Sequence, residues 1–208
     1  MIDSATLLTY VAIVVGFVFI PGPATLLTVA RATSSGTRVG IATGAGIALG
    51  DVIHTIMAIV GISAIIATSA FLFSLIKYLG AGYLVYLGIR AILEKAPLSL
   101  GGKTKPITAK RALQQAVIAE VLNPKTALFF LAFLPQFVRP ENGSPLLQLS
   151  ILGILFVLLG FMSTLIVAIS AGKMGQFLQR NPAVLKWQGK FVGGIYCALG
   201  VRLAFQER

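Results

Sequence analysis

Six long apolar stretches limit what this chain can fold into. Each contains about 20 or more mostly apolar residues, which is enough for a helix to cross the hydrocarbon core of a bilayer. The stretches cover residues 7–30, 39–66, 72–93, 113–137, 146–171 and 187–205. Membrane-spanning strands would instead show segments of about ten residues with alternating polarity. The sequence therefore predicts an all-α polytopic membrane protein with six transmembrane helices.

Composition supports this class and excludes others. Hydrophobic residues make up 57% of the chain and charged residues 11%, too few charges for a soluble surface or a disordered chain. The net charge is +11, but the basic residues lie mostly between the apolar stretches, so nucleic acid is not an expected partner. One Cys excludes a disulfide framework or a zinc ribbon. No signal peptide is expected, because no basic residue precedes the first stretch.

The distribution of Lys and Arg predicts the orientation in the membrane, because cytoplasmic loops are enriched in both residues. Twelve of them lie in or beside the loops after the first, third and fifth stretches: Arg31, Arg38, Arg90, Lys95, Lys103, Lys105, Lys110, Arg111, Lys173, Arg180, Lys186 and Lys190. Four lie on the opposite side: Lys77, Arg139, Arg202 and Arg208. These counts predict a multi-pass protein of the cytoplasmic membrane with both termini outside.

The two halves of the chain resemble each other. Pro23-Ala-Thr25 in the first stretch matches Pro124-Lys-Thr126 in the fourth, and Gly82 to Arg90 matches Gly194 to Arg202. An odd number of spans in each half reverses the orientation of the second half. We therefore expect one transporter domain over residues 1–208, built from inverted three-helix repeats at about 1–95 and 110–208, with its site near the midplane.

Pro21-Gly22-Pro23 interrupts the first stretch. A proline has no N–H and disturbs the carbonyl four residues earlier, so Phe17 and Phe19 are expected to lose their helical donors. Broken backbone at membrane depth persists only where protein or water satisfies it. The half-helix that starts at Pro23 is expected to point free N–H groups into the bundle, where they attract anions. The alternative is a kink that only serves packing.

Asn123-Pro124-Lys125 is the counterpart in the fourth stretch. Insertion of a Lys at the centre of a membrane helix costs about 2.5–3.5 kcal/mol on translocon scales. Lys125 is therefore expected to have a charged partner or a water-filled cavity. Purely structural pairing remains an alternative.

Three further polar residues lie inside the stretches. Asp51 is predicted at the depth of Lys125, where it could pair with that residue, hold a substrate ammonium or carry a proton. His54 shares the helix face of Asp51 and is interpreted as a hydrogen-bonded packing residue. Glu120 is expected to have a weaker role, since it could be hydrated at the cytoplasmic side.

Glycines recur every four residues in the second stretch, as Gly36, Gly40 and Gly44 and separately as Gly46 and Gly50. This spacing allows helix backbones to approach closely. We assign these glycines, together with Gly82 and Gly88, to architecture and not to a substrate site.

Four blocks resemble the lysine and homoserine/threonine exporter (LysE/RhtB) family of bacterial amino-acid efflux proteins. They are Pro21-Gly22-Pro23 with Gly36-Thr-Arg38-Val-Gly40, Gly50-Asp51-Val-Ile-His54 leading to Gly61, the block from Leu79 to Arg90, and Asn123-Pro124-Lys125 followed by residues 126–137. The last block is the most specific. The family's signature positions fall here on Pro21, Gly22, Pro23, Asp51, Asn123, Pro124 and Lys125. Glu120 departs from the family pattern, which often has Asn there.

The resemblance implies a transporter without cofactors, and not an enzyme, that exports amino acids or their derivatives in exchange for protons. The scarcity of intramembrane acids favours a neutral substrate similar to homoserine, threonine or leucine. A divalent metal exporter is the alternative, although only Asp51 and His54 resemble metal ligands. A redox conduit is disfavoured because Cys197 is the single thiol. The Gly-rich faces leave a homo-oligomer possible.

Overall fold

A computed structural model describes residues 2–19, 22–68, 70–93 and 106–180, together with positions 187, 190, 193, 194, 197, 198, 200, 201, 204 and 205. All the regular secondary structure in these residues is helical. The α-helices are α1 (Ser4–Phe19), α2 (Pro23–Ser35), α3 (Thr37–Thr68), α4 (Ala70–Leu93), α5 (Ala109–Val121), α6 (Pro124–Leu128) and α7 (Pro145–Arg180). The prediction of an all-α polytopic membrane protein is confirmed.

The helices match the predicted spans closely. Within the described residues, segments of α3 and α7 are each long and apolar enough to cross a membrane, and the bent pairs α1–α2 and α5–α6 qualify if each pair is one span. These four correspond to the first, second, fourth and fifth apolar stretches. The third stretch coincides with α4, and the sixth falls mostly outside the described residues. The six-helix inverted repeat therefore stays a prediction.

Prolines explain where the bent helices break. Pro23 and Pro124 are each the first residue of a helix, where a missing N–H costs nothing. The chain bends by 49° between α1 and α2 and by 45° between α5 and the helical segment that follows it. That segment continues as a π-helical turn (Phe129–Phe133) and a 3₁₀ turn (Leu134–Phe137) around Pro135, which cannot donate a helical hydrogen bond.

Helix α3 lies at the centre and packs against α2, α5 and α7. Glycines allow this close approach: Gly40 meets α2 and α7, Gly44 meets α7, and Gly46 and Gly50 meet α5. Gly36 differs from the prediction, because it has a φ of 91° in the turn between α2 and α3 and contacts nothing that a side chain would displace. Its role is in the turn and not in packing, since only glycine adopts this φ easily.

An aromatic core fixes the fourth span against α1 and α7. Its buried rings are Tyr10, Phe17, Phe129, Phe130, Phe133, Phe137 and Phe156. The Tyr10 hydroxyl donates to the Leu152 carbonyl at 2.8 Å, which satisfies its polar end inside the apolar core. Helix α4 packs against the π-helical turn of the fourth span and on the last segment, where Gly88 lies against Gly193 and Cys197. This confirms an architectural role for Gly88, whereas Gly82 is exposed and an added Cβ there would meet no atom of the described residues within 4 Å.

Candidate functional site at two helix breaks

Both helix breaks line one cavity, which the middle of α3 and α7 closes from the other sides. The centre of a water-sized molecule can occupy about 40 Å³ of it. Eight of the predicted site residues line it: Gly22, Pro23, Thr25, Asp51, Glu120, Asn123, Lys125 and Thr126. Pro124 makes the second break but does not line the cavity, and Pro21 lies outside the described residues.

The first break leaves the N-terminus of α2 open. Gly22 is the N-cap residue, with extended backbone at φ −131° and ψ −169°, and it has no side chain that could cap the helix. The first amides of a helix have no acceptor within the helix. Ala24 and Thr25, in the first turn, line the cavity. The positive end of the α2 dipole therefore faces this space.

The carbonyls on the other side of the first break have donors from distant helices. The Lys125 ammonium donates to the Phe17 carbonyl at 3.1 Å, and the Ser163 hydroxyl of α7 donates to the Val18 carbonyl at 3.1 Å. The loss of the helical donor of Phe17 was predicted from Pro21. Tertiary contacts thus replace hydrogen bonds that the bent helix cannot make, as buried backbone requires.

The second break is satisfied by its own side chains. The Asn123 side-chain oxygen accepts from the Lys125 amide at 3.1 Å and so caps α6. The Asn123 amide group donates to both carboxylate oxygens of Glu120, at 3.1 and 3.2 Å. The Thr126 hydroxyl donates to the same carboxylate. Little is left at this break for a ligand to satisfy.

Two buried acids face each other across α3 and α5. Asp51 and Glu120 are only 2% and 3% exposed, and their side chains interact. Glu120 lies against Gly50, where an added Cβ would come within 2.6 Å of the Glu120 Cβ. In the part of the chain that the structure describes, Oδ1 of Asp51 is buried without a hydrogen-bond partner. Such a group is costly unless a ligand or water satisfies it.

The burial of Glu120 contradicts one prediction, and the position of His54 agrees with another. The interpretation of Glu120 as a hydrated residue is wrong, because the side chain is enclosed by α3 and its own break. His54 stands behind it, with Nε2 3.0 Å from the Glu120 carbonyl oxygen. The His54 ring stacks on Phe130 with centroids 5.7 Å apart. This geometry is that of a hydrogen-bonded packing residue, and His54 does not line the cavity.

The Lys125 side chain is held in place by α1. Its ammonium lies 4.2 Å from the centre of the Phe17 ring, in addition to its bond to the carbonyl of the same residue. A cation over an aromatic face is attracted by the ring quadrupole. Asp51 and Lys125 share the cavity, but a direct ion pair between them stays a prediction.

The sequence analysis missed the contribution of α7. Phe156, Gly160 and Thr164 line the cavity, and an added Cβ on Gly160 would lie 3.2 Å from Oδ2 of Asp51. The four-residue spacing of Gly160 and Thr164 on the repeat counterpart of α3 is the signal that could have found them. Its physical meaning is that α7 approaches Asp51 through a small residue.

The structure also bears on metal binding. Among the residues that it describes, no three His, Cys, Asp or Glu side chains are grouped closely enough to hold a metal ion. The site combines one cation, two acids and an open helix N-terminus. This donor set suits an organic zwitterion better than a metal ion, which prefers clustered ligands.

The chain is similar to several bacterial membrane proteins. An uncharacterised membrane protein of Vibrio cholerae is 31% identical over 203 residues, covering 97% of this chain and 98% of that protein. A leucine efflux protein of Klebsiella pneumoniae is 27% identical over 203 residues, covering 95% of each chain. The uncharacterised membrane protein YrhP of Bacillus subtilis is 37% identical over 163 residues, covering 74% of this chain and 77% of its own. No solved structure matches.

The family comparison decides the class of protein. The model of the LysE type translocators matches residues 15–207, nearly the whole chain. This match confirms the resemblance seen in the sequence motifs, and it confirms a transporter and not an enzyme. The chain belongs to the LysE type translocator family.

Proposed function

We propose that this protein exports a small neutral amino acid across the cytoplasmic membrane in exchange for protons, through the cavity between the two helix breaks. The observation that carries the proposal is that groups of opposite charge line the same cavity. Lys125, the open end of α2 and Asp51 all line it. A zwitterionic amino acid has the complementary pair of charges at fixed separation.

The substrate carboxylate is assigned to the first break. Helix N-termini attract anions through their free amides and their dipole. Gly22 leaves these amides uncapped, and Lys125 adds a full positive charge beside them. The second break is not assigned this role, because Asn123 already caps α6.

The substrate ammonium is assigned to Asp51. Its Oδ1 is buried without a partner among the described residues, and an ammonium group offers three donors. A charge-assisted hydrogen bond there would be about twice as strong as a neutral one. Binding the ammonium would therefore satisfy this buried oxygen.

The cavity walls favour an uncharged substrate side chain. Phe17, Ile47 and Phe156 line the cavity and offer apolar surface. Glu120, the second acid in the lining, is already engaged by Asn123 and Thr126. Relatives named leucine efflux proteins support the same substrate class. The proposed substrates are leucine, homoserine and threonine.

Proton exchange follows from the same acid. When the substrate leaves, Asp51 would be a buried carboxylate whose Oδ1 has no hydrogen-bond donor among the described residues, which is costly. A proton that replaces the substrate ammonium removes that cost. Inward movement of protons would then drive outward movement of the amino acid.

A growth-inhibition panel tests the function. Cells that overexpress the protein are exposed to toxic amino-acid analogues and, separately, to divalent metal salts. We expect protection against analogues of neutral amino acids, and this protection should be lost in Asp51→Asn. Protection against metals alone would overturn the proposal and favour a metal exporter.

Reporter fusions test the orientation. Fusions after Thr104 and after Asn142 should report the cytoplasm and the outside, respectively. The same side for both would contradict the proposed topology. Cross-linking in intact membranes tests whether the protein forms a homo-oligomer, independently of transport.

A further inference from the structure

The Glu120 carboxylate is held as a pure acceptor. Three donor contacts reach it, two from the Asn123 amide group and one from the Thr126 hydroxyl. The Asn123 amide group also donates to the Thr126 hydroxyl oxygen at 3.2 Å, which leaves the Thr126 proton directed to Glu120. A neutral carboxylic acid at Glu120 would have to give up part of this network. The arrangement therefore stabilises an ionised Glu120.

Asp51 has the opposite environment. Its Oδ1 has no donor within the described residues, and Oδ2 lies beside Gly160, which contributes no polar side chain. Its backbone carbonyl accepts from Thr55, but that bond does not satisfy the carboxyl group. Glu120 lines the same cavity and packs against Gly50, the residue before Asp51, and as a carboxylate it can only accept from Asp51. A protonated Asp51 could donate to Glu120, whereas an ionised Asp51 would repel it.

The charges on the neighbouring helices determine how many protons Asp51 and Glu120 carry together. Lys125 from α6 supplies one positive charge to the cavity. Tyr10 of α1 donates to the Leu152 carbonyl, and His54 of α3 bonds the Glu120 backbone. The α7 residues that line the cavity, Phe156, Gly160 and Thr164, do not titrate. One cation beside two acids is electrically balanced when one acid carries a proton.

We propose that Asp51 and Glu120 hold one proton between them in the empty transporter, with the proton on Asp51 and Glu120 ionised. This inference rests on the proposed function for its use in transport. There, the arriving substrate ammonium takes the place of the Asp51 proton, which leaves to water on the cytoplasmic side. A proton from the outside later returns to Asp51 as the ammonium departs. Glu120 is thus a positioning residue that keeps Asp51 able to exchange its proton.

Infrared spectroscopy of the purified protein in lipid nanodiscs tests the shared proton. The carbonyl stretch of a protonated carboxylic acid is separate from the carboxylate bands and shifts in heavy water. At neutral pH, the wild-type protein should show one such signal, and Asp51→Asn should remove it. Glu120→Gln should also remove it, because Lys125 is then balanced by an ionised Asp51. Lys125→Met should double it, since both acids must then be neutral.

A control variant and a test of folding accompany the infrared measurement. Glu141→Gln alters an exposed acid outside the cavity and should leave the signal unchanged. Circular dichroism and size-exclusion chromatography show whether each variant is folded. No signal in the wild type, or a signal of full intensity in folded Asp51→Asn, would overturn the proposal. Because the measurement needs no substrate, its failure is distinct from a failure of amino-acid export.

Discussion

The first and fourth spans are both broken at a proline, and both breaks line the same cavity, yet their hydrogen bonding differs. The first break has a glycine N-cap without a capping side chain, and its carbonyls depend on Lys125 and Ser163 from other helices. The second break has Asn123, which caps its own helix and binds Glu120. One break is open at its amides, and the other is closed by its own residues.

The difference follows from one residue at each break. The matching Pro-x-Thr sequences put the same bend in both spans. The residue before the proline then decides the outcome, because a glycine leaves amides for a ligand and an asparagine fills them. The open break is suited to receive the substrate, and the closed break supplies Lys125 and positions Glu120.

The largest expected effect comes from opening the closed break. Asn123→Ala removes the α6 cap and the donors to the buried Glu120 carboxylate. We expect the free energy of unfolding to fall by about 2–4 kcal/mol, from a lost cap and an unsatisfied buried acceptor. Thermal unfolding in detergent measures this change. Gln114→Ala, at an exposed site on α5, is the control, and equal stability of the two variants would contradict the assignment.

The second largest effect is expected from removing the Lys125 charge, which connects the two breaks. Lys125→Met deletes a charged donor worth about 1.5–3 kcal/mol, which corresponds to about a 10- to 100-fold loss of export. Vesicle transport assays normalised to protein level measure the loss. Lys110→Met, at an exposed position on α5, should export at the wild-type rate. Export that survives Lys125→Met unchanged would remove Lys125 from the site.

Capping the open N-terminus of α2 should have a smaller effect, which is a decrease in substrate affinity. Gly22 has a backbone conformation that serine can adopt. In Gly22→Ser, the hydroxyl would compete with the substrate for the first-turn amides and raise KM by about threefold, the equivalent of a few tenths of a kcal/mol. Gly22→Ala adds bulk without a hydroxyl and should raise KM less. If alanine has the larger effect, steric exclusion and not capping explains the result.

The smallest effect on stability is expected at the Val18 carbonyl. Ser163→Ala removes its donor and should cost about 0.5–1.5 kcal/mol of stability, as for a single neutral hydrogen bond. Ser150→Ala is the matched control, because the Ser150 hydroxyl bonds a carbonyl of its own helix at an exposed site. Equal melting temperatures for the two variants would show that Ser163 does not stabilise the broken backbone.

Much of this architecture could be predicted from local sequence. Apolar length marked the spans, prolines marked both breaks, and the spacing of Gly40, Gly44 and Gly50 marked the helix contacts. Eight predicted site residues line one cavity, since each lies at a break or at an intramembrane charge. Apolar length, prolines, glycine spacing and intramembrane charges can all be read from the sequence of a single helix.

Contacts between helices could not be predicted in the same way. They depend on the rotation and tilt of each helix, which packing sets. The sequence therefore gave no indication that Lys125 satisfies the Phe17 carbonyl or that Gly160 approaches Asp51. Glu120 was misinterpreted as hydrated because its depth alone did not reveal its enclosure by α3. Gly36 was assigned to packing because its periodicity concealed its turn conformation.

Transport by the purified protein in liposomes tests the central claim most directly. Radiolabelled L-leucine, L-threonine and L-homoserine are measured with an imposed pH gradient, in liposomes that contain the wild type, Asp51→Asn or no protein. The account predicts that the wild type moves at least one of these amino acids against the direction of proton flow, and that Asp51→Asn does not. Wild-type rates equal to those of empty liposomes for all three, or an Asp51→Asn rate and pH dependence equal to those of the wild type, would contradict it.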